Sequence, residues 1–166
     1  CAEVMASGIG VVQGVNFNSV GQVVIAGNKA AVEKASEVLK AKGARKVMSL
    51  PVSVPSHCDL MKPAAEKLAL ELNSVKFNPA KIPLIQNVNG EIASDIHAIK
   101  EGLVKQLYSP VLWTKSVATL AQNDVMTIVE CGPGKVLSGL NKRIHESAKL
   151  FNLNSAESMT ALQASL

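Results

Sequence analysis

Aromatic side chains are nearly absent from this chain. Phe, Trp and Tyr together make up 3% of it, with a single Trp and a single Tyr. A stacking platform for single-stranded nucleic acid interleaves several rings with basic residues, so nucleic-acid binding is not expected. The core must instead be built from Ala, Val, Leu and Ile, and 48% of residues are hydrophobic. Cysteine is also scarce. Cys1, Cys58 and Cys131 are odd in number and scattered, which argues against a disulfide framework, and no pair has metal-ligand spacing. Apolar runs long enough to span a membrane are missing, as is the charged-then-apolar layout of a signal peptide. A cytoplasmic protein with no membrane partner is expected. Charge is modest, 18% of residues with a net +4. An acidic protein partner or an anionic substrate suits that bias as well as a plain soluble surface does.

Two catalytic signatures are lacking as well. No G-x-S-x-G nucleophile elbow occurs anywhere in the 166 residues. The stretch GPGKVLSGLNKR (132–143) has Val129 and Val136 where a Walker phosphate loop needs Gly and Ser or Thr. It reads as a Gly-Pro-Gly turn into a helix whose N-terminus can face an anionic group.

What is present divides in two. The opening CAEVMASG reads as the last turns of a helix with no Met before it, so the chain is expected to be a fragment. GVVQGVN (10–16) and QVVIAG (22–27), separated by turn residues, predict a strand pair. Asn28 then caps a helix from Lys29 to about Lys42, with Val32, Ala35, Val38 and Leu39 on one face and Gly43 as its stop. ARKVMSL (44–50) predicts a third strand. This order fits a ferredoxin-like unit lacking its first strand and most of its first helix.

Residues 60–74 form an amphipathic pattern with two possible starts. Ser56 and Asp59 match a capping box; Asp59 as the cap is preferred, because Pro63 then falls in the first turn. Strands at 82–88, 126–132 and 149–153 alternate with helices at 94–107, 113–122, 135–146 and from about Ser155. That alternation predicts a parallel α/β sheet. Two subdomains result, 1–52 and 53–166, and their junction is a favoured place for a cleft.

PVSVPSHCDLMKPAA (51–65) puts His57 beside Cys58 at that junction. Histidine titrates near neutrality and is the natural base for a hydroxyl or thiol, although a lone loop histidine is more often plain surface. A working site also needs a nucleophile and a group orienting the ring. Cys58 reads as a small buried filler, and Cys131, ending an apolar strand, as core. His97 and His145 read as solvated, and no metal site is expected.

Four motifs then converge: VNFNSVGQVVIAG, PVSVPSHCDLMKPAA, KQLYSPVLWTKSV and VECGPGKVLSGLNKRI, in this order across the chain. They resemble the bacterial malonyl-CoA–acyl carrier protein transacylases of fatty acid synthesis. The resemblance implies an α/β-hydrolase-like subdomain joined to a ferredoxin-like one. It implies ping-pong transfer of malonyl from coenzyme A to a serine, then to the phosphopantetheine thiol of acyl carrier protein, by a monomer with no bound cofactor. His57 is the implied acid–base residue, oriented by the main-chain carbonyl of Gln106. Asn16, Asn18, Gln22 and Ser56 are implied to line the cleft, though turn formation is a plainer use for the first three. Lys142 and Arg143, or the Lys and Arg of residues 40–46, are candidates for receiving an acidic carrier. The family's serine, in a G-H-S-x-G elbow, its malonyl-pairing arginine and its oxyanion donors would all precede residue 1. On that reading this stretch is inactive alone. VPSH resembles the free-standing enzymes, which implies malonyl rather than methylmalonyl. A truncated paralogue that only docks the carrier, and a loading domain cut from a polyketide synthase, are the alternatives.

Overall fold

The computed structural model describes residues 1–165. A short helix, α1 (Ala2–Ala6), leads into an antiparallel hairpin of β1 (Val12–Ser19) and β2 (Gln22–Gly27). Strict alternation along β1 would put Val12 and Val15 on opposite faces, yet both are buried. An irregularity between Gly14 and Asn16 resets the register, as a bulge does, and a second follows between Phe17 and Ser19. Helix α2 (Lys29–Ala41) then lays Ala31 and Ala35 against Val4 and Val12, with Ile25, Val32 and Val38 at the margin. Alanines on this face let the helix approach the hairpin closely, which is how a core forms here without rings.

Asn28 sits at the N-cap position of α2 but does not cap it. Its Oδ1 accepts from the Val11 N–H at 2.8 Å, and its own N–H donates to the Val11 carbonyl at 2.9 Å, fastening the start of β1 instead. Gly43, at φ +89°, ends the helix, with the Ala44 N–H returning to the Leu39 carbonyl at 2.9 Å. The expected strand over 44–50 does not form. Among the described residues no strand lies alongside it to complete a ladder, and Met48 and Leu50 are left exposed.

A single 3₁₀ turn (Asp59–Met61) runs into α3 (Lys62–Ser74), with Pro63 in its first turn. The expected strand at 82–88 shrinks to β3 (Ile85–Gln86), which pairs antiparallel with β4 (Glu91–Ile92), so this part adds no parallel strand. Helix α4 (Ile96–Gln106) is capped by Asp95, whose Oδ1 accepts from the Ala98 N–H at 2.8 Å. After α5 (Trp113–Gln122) comes a parallel βαβ unit: β5 (Thr127–Cys131), α6 (Val136–Ile144) and β6 (Lys149–Leu153). A Ser155–Ser158 capping box starts α7 (Ala156–Gln163).

Helices α5 and α6 pack on β1 and so join the two halves. The Val111 N–H donates to the Val15 carbonyl at 2.8 Å, and the Phe17 N–H to the Val111 carbonyl at 2.9 Å. Trp113 Nε1 donates to Oδ1 of the buried Asn141 at 2.9 Å, which satisfies both polar groups where α5 meets α6. Among the described residues no helix is long and apolar enough to cross a membrane.

Candidate active site

His57 has φ +65°, in the left-handed region that a non-glycine residue enters at a cost. Two bonds to the end of α4 hold it there. Its N–H donates to the Leu107 carbonyl at 2.9 Å, and its Nδ1 lies 2.7 Å from the Gln106 main-chain oxygen. A carbonyl only accepts, so Nδ1 carries the hydrogen and the neutral ring keeps its free lone pair on Nε2. The Gln106 side-chain nitrogen also comes within 3.5 Å of Nδ1. Both atoms are donors, so this is proximity rather than a bond. That amide donates instead to the carbonyls of Ser109 at 2.9 Å and Pro110 at 3.3 Å. Gln106 thus orients the ring with its backbone and braces the following turn with its side chain.

The loop is held on its other side as well. Cys58 is fully buried, with Sγ 3.1 Å from the Pro55 carbonyl. Ser56, half-buried, turns back through its N–H to the Val54 carbonyl at 2.9 Å. Asp59 does not cap a helix with its side chain. Its carboxylate accepts from Gln13 Nε2 at 2.9 Å and pairs with Lys62 Nζ at 2.7 Å, while its N–H donates to Gln13 Oε1 at 2.8 Å. The Lys62 ammonium, aided by Gln13 against the opposing effect of burial, holds the Asp59 carboxyl below the usual aspartate range.

Residues 106–111 connect this loop to β1. Asn16 sits opposite Val24 and bridges to Val111, and Asn18 lies half-buried within the second irregularity of β1. Gln22 Oε1 receives long contacts of 3.4 Å from Ser19 Oγ and from Arg143 Nη1, bringing Gln22 and Arg143 together. Lys142 lies exposed beside Arg143 on the last turn of α6. Lys42, within the basic stretch 40–46, is paired with Glu3.

Residues 2–163 match the acyl transferase domain family. The chain belongs to that family. It is 53% identical over 151 residues to the malonyl CoA-acyl carrier protein transacylase of Escherichia coli strain K12, covering 91% of this chain and 49% of that protein. The crystal structure of an acyl carrier protein S-malonyltransferase from Vibrio cholerae matches with a TM-score of 0.91 at 48% identity, over 97% of this chain and 53% of that one. A malonyl-transacylase solved in complex with its type II PKS acyl-carrier protein matches with a TM-score of 0.94 at 47% identity, over 99% of this chain and 53% of that one. The chain spans about half the length of the curated relatives it matches.

Within this acyl transferase domain, three sequence expectations are corrected. His145 is buried rather than solvated, with Nε2 3.1 Å from the Val125 carbonyl and Nδ1 3.3 Å from Ser147 Oγ. Cys131 is exposed, not core, because β5 ends there at the Gly-Pro-Gly turn. The N-terminus of α6 is already occupied by an internal anion. Glu130 accepts from the N–H groups of Leu137 (3.1 Å) and Ser138 (2.7 Å), from Ser138 Oγ (2.7 Å) and from Asn152 Nδ2 (3.1 Å). Burial pushes this carboxyl up, but the bonds from Ser138, Leu137 and Asn152 prevail and hold it below the ordinary glutamate range. Gln13 escaped sequence reasoning, although one amide inside the apolar run GVVQGV was a usable signal.

Proposed function

We propose that this chain supplies the acid–base histidine of a malonyl-transfer site, at the seam between residues 1–52 and 53–166. The carrying observation is the 2.7 Å contact from His57 Nδ1 to the Gln106 carbonyl, which leaves Nε2 as the base. In the first half-reaction, Nε2 takes the proton of a serine hydroxyl as its oxygen attacks the malonyl thioester. The imidazolium then returns that proton to the departing coenzyme A thiolate. In the second, Nε2 takes the proton of the phosphopantetheine thiol, whose sulfur attacks the malonyl ester. The serine oxygen leaves with the same proton. No elbow within these 166 residues provides that serine, so it must be presented to Nε2 from elsewhere.

The names of the malonyl transacylase relatives support malonyl-CoA as donor, and the relative solved with its acyl-carrier protein supports such a carrier as acceptor. Asn16, Asn18, Gln22 and Ser56 are assigned to the cleft wall, and exposed Lys142 and Arg143 to the carrier contact. A cytoplasmic monomer fits this role. The test is the mass of the native polypeptide bearing these residues, before and after malonyl-CoA. Gain of one malonyl group, discharged by acyl carrier protein, is expected. A polypeptide that takes up no acyl group overturns the reading.

A further inference from the structure

We infer that Gln13 is a positioning residue for His57, acting through Asp59. The inference rests on His57 being the base of the proposed transfer. Backbone strain at His57 is retained only if the chain is held on both sides of it. Carbonyls 106 and 107 hold the residue itself. The far side depends on Asp59, two residues on, whose N–H and carboxylate are both bound by the one amide of Gln13. Gln13 projects from β1 between buried Val12 and Val15, so the anchor is a packed strand rather than a mobile loop. Without it, φ of His57 can relax toward the common negative region, carrying the ring off the Gln106 oxygen.

The chemistry of the pair is specific. An amide offers, on two separate atoms, both the acceptor for the Asp59 N–H and the donor for its carboxylate. Leucine at 13 removes both bonds at similar volume. Glutamate at 13 sets two carboxylates against each other. The Asp59 N–H can still donate to that glutamate, so only the side-chain bond is lost, and asparagine at 59 in that background restores it with donor and acceptor exchanged.

The experiment is ¹⁵N NMR of the histidine rings in the native polypeptide, with the rings neutral. Buried His145 reports on the fold, and His97 serves as a reference. In Gln13→Leu and Gln13→Glu, the His57 nitrogens are expected to shift from a fixed Nδ1–H form toward the tautomer average while His145 stays in place. The double variant Gln13→Glu/Asp59→Asn is expected to restore them. Malonyl transfer should fall roughly 10–100-fold in kcat with little change in KM, the scale of a misplaced catalytic group, and recover with the ring signals. Unchanged His57 nitrogens in Gln13→Glu overturn the inference, and so does failure of the double variant to recover while His145 is native. Should Gln13→Leu disturb His145, the glutamate pair decides. Nitrogens that move and recover in a polypeptide that takes up no malonyl group uphold the positioning and overturn only the transfer reading.

Discussion

His57 Nδ1 and the main-chain oxygen of Gln106, 49 residues apart in sequence, meet at 2.7 Å. The orienting acceptor is a neutral carbonyl rather than a carboxylate. It fixes the tautomer and ring direction without adding a full negative charge beside the imidazole.

Replacing His57 separates chemistry from backbone. Both His57→Ala and His57→Gly should lower malonyl transfer by roughly 10²–10⁴. The two should differ in stability, because φ +65° suits glycine and strains alanine. His57→Gly is expected to be the more stable by about 1 kcal/mol, read from denaturant melts of the two proteins.

Gln106→Ala keeps the carbonyl that orients the ring but removes the brace on Ser109 and Pro110. It should cost about 1–3 kcal/mol of stability. Transfer should fall far less than in His57→Ala, since the ring acceptor survives. Equal losses of kcat in the two variants would contradict this division of labour.

Glu130 ties stability to acid. Its carboxyl lies below the ordinary range in the folded protein, so its contribution is fully present above about pH 4.3, the unfolded value. That contribution is lost as pH falls through the lower folded value. Asp59 is depressed in the same sense and adds to the loss. Glu130→Gln should lower stability at neutral pH by about 0.5–2 kcal/mol, as loss of a helix cap does. Its unfolding midpoint should also decline less steeply on acidification than that of the parent, measured by thermal melts across the acid range.

At Gly102 a familiar rule meets an opposing contact. Alanine in a helix normally stabilises relative to glycine by about 1 kcal/mol. Here a Cβ at 102 would sit 2.1 Å from Nε2 of Gln86, which donates to the Ile99 carbonyl at 3.0 Å. Gly102→Ala should therefore forfeit that gain, because the Gln86 amide must swing aside and give up a bond of about 0.5–1.5 kcal/mol. A rise in melting temperature would show that Gln86 moves aside freely.

Local signals in the sequence carried much of the fold. Apolar periodicity placed α2, α5 and β5 through β6, and the turn residues before Gln22 placed the hairpin. Errors came where an outcome depended on distant partners. Residues 44–50 have strand composition, but a strand needs a neighbour to receive its hydrogen bonds. Asn28 and Asp59 have cap chemistry, yet Val11 in one case and Gln13 with Lys62 in the other took up those side chains. His145 looked solvated near a helix end because nothing local reveals that the Val125 carbonyl meets it. At the site, motif resemblance pointed to His57 and Gln106, whereas the pairing of Gln13 with Asp59 spans 46 residues and leaves no periodic trace.

Because a backbone oxygen orients the ring, the identity of residue 106 and the length of α4 are under very different constraints. Any residue that keeps the helix also keeps the oxygen, so substitution at 106 removes the brace on Ser109 and Pro110 but not the acceptor of the ring. Inserting or deleting one residue within α4 is another matter. It turns the helix end by about 100° and slides it about 1.5 Å, leaving His57 facing a different acceptor. Indels in α4 should thus disturb the site at nearly every point between Ile96 and Gln106, and the helix behaves as a measuring rod whose length decides which oxygen meets the ring.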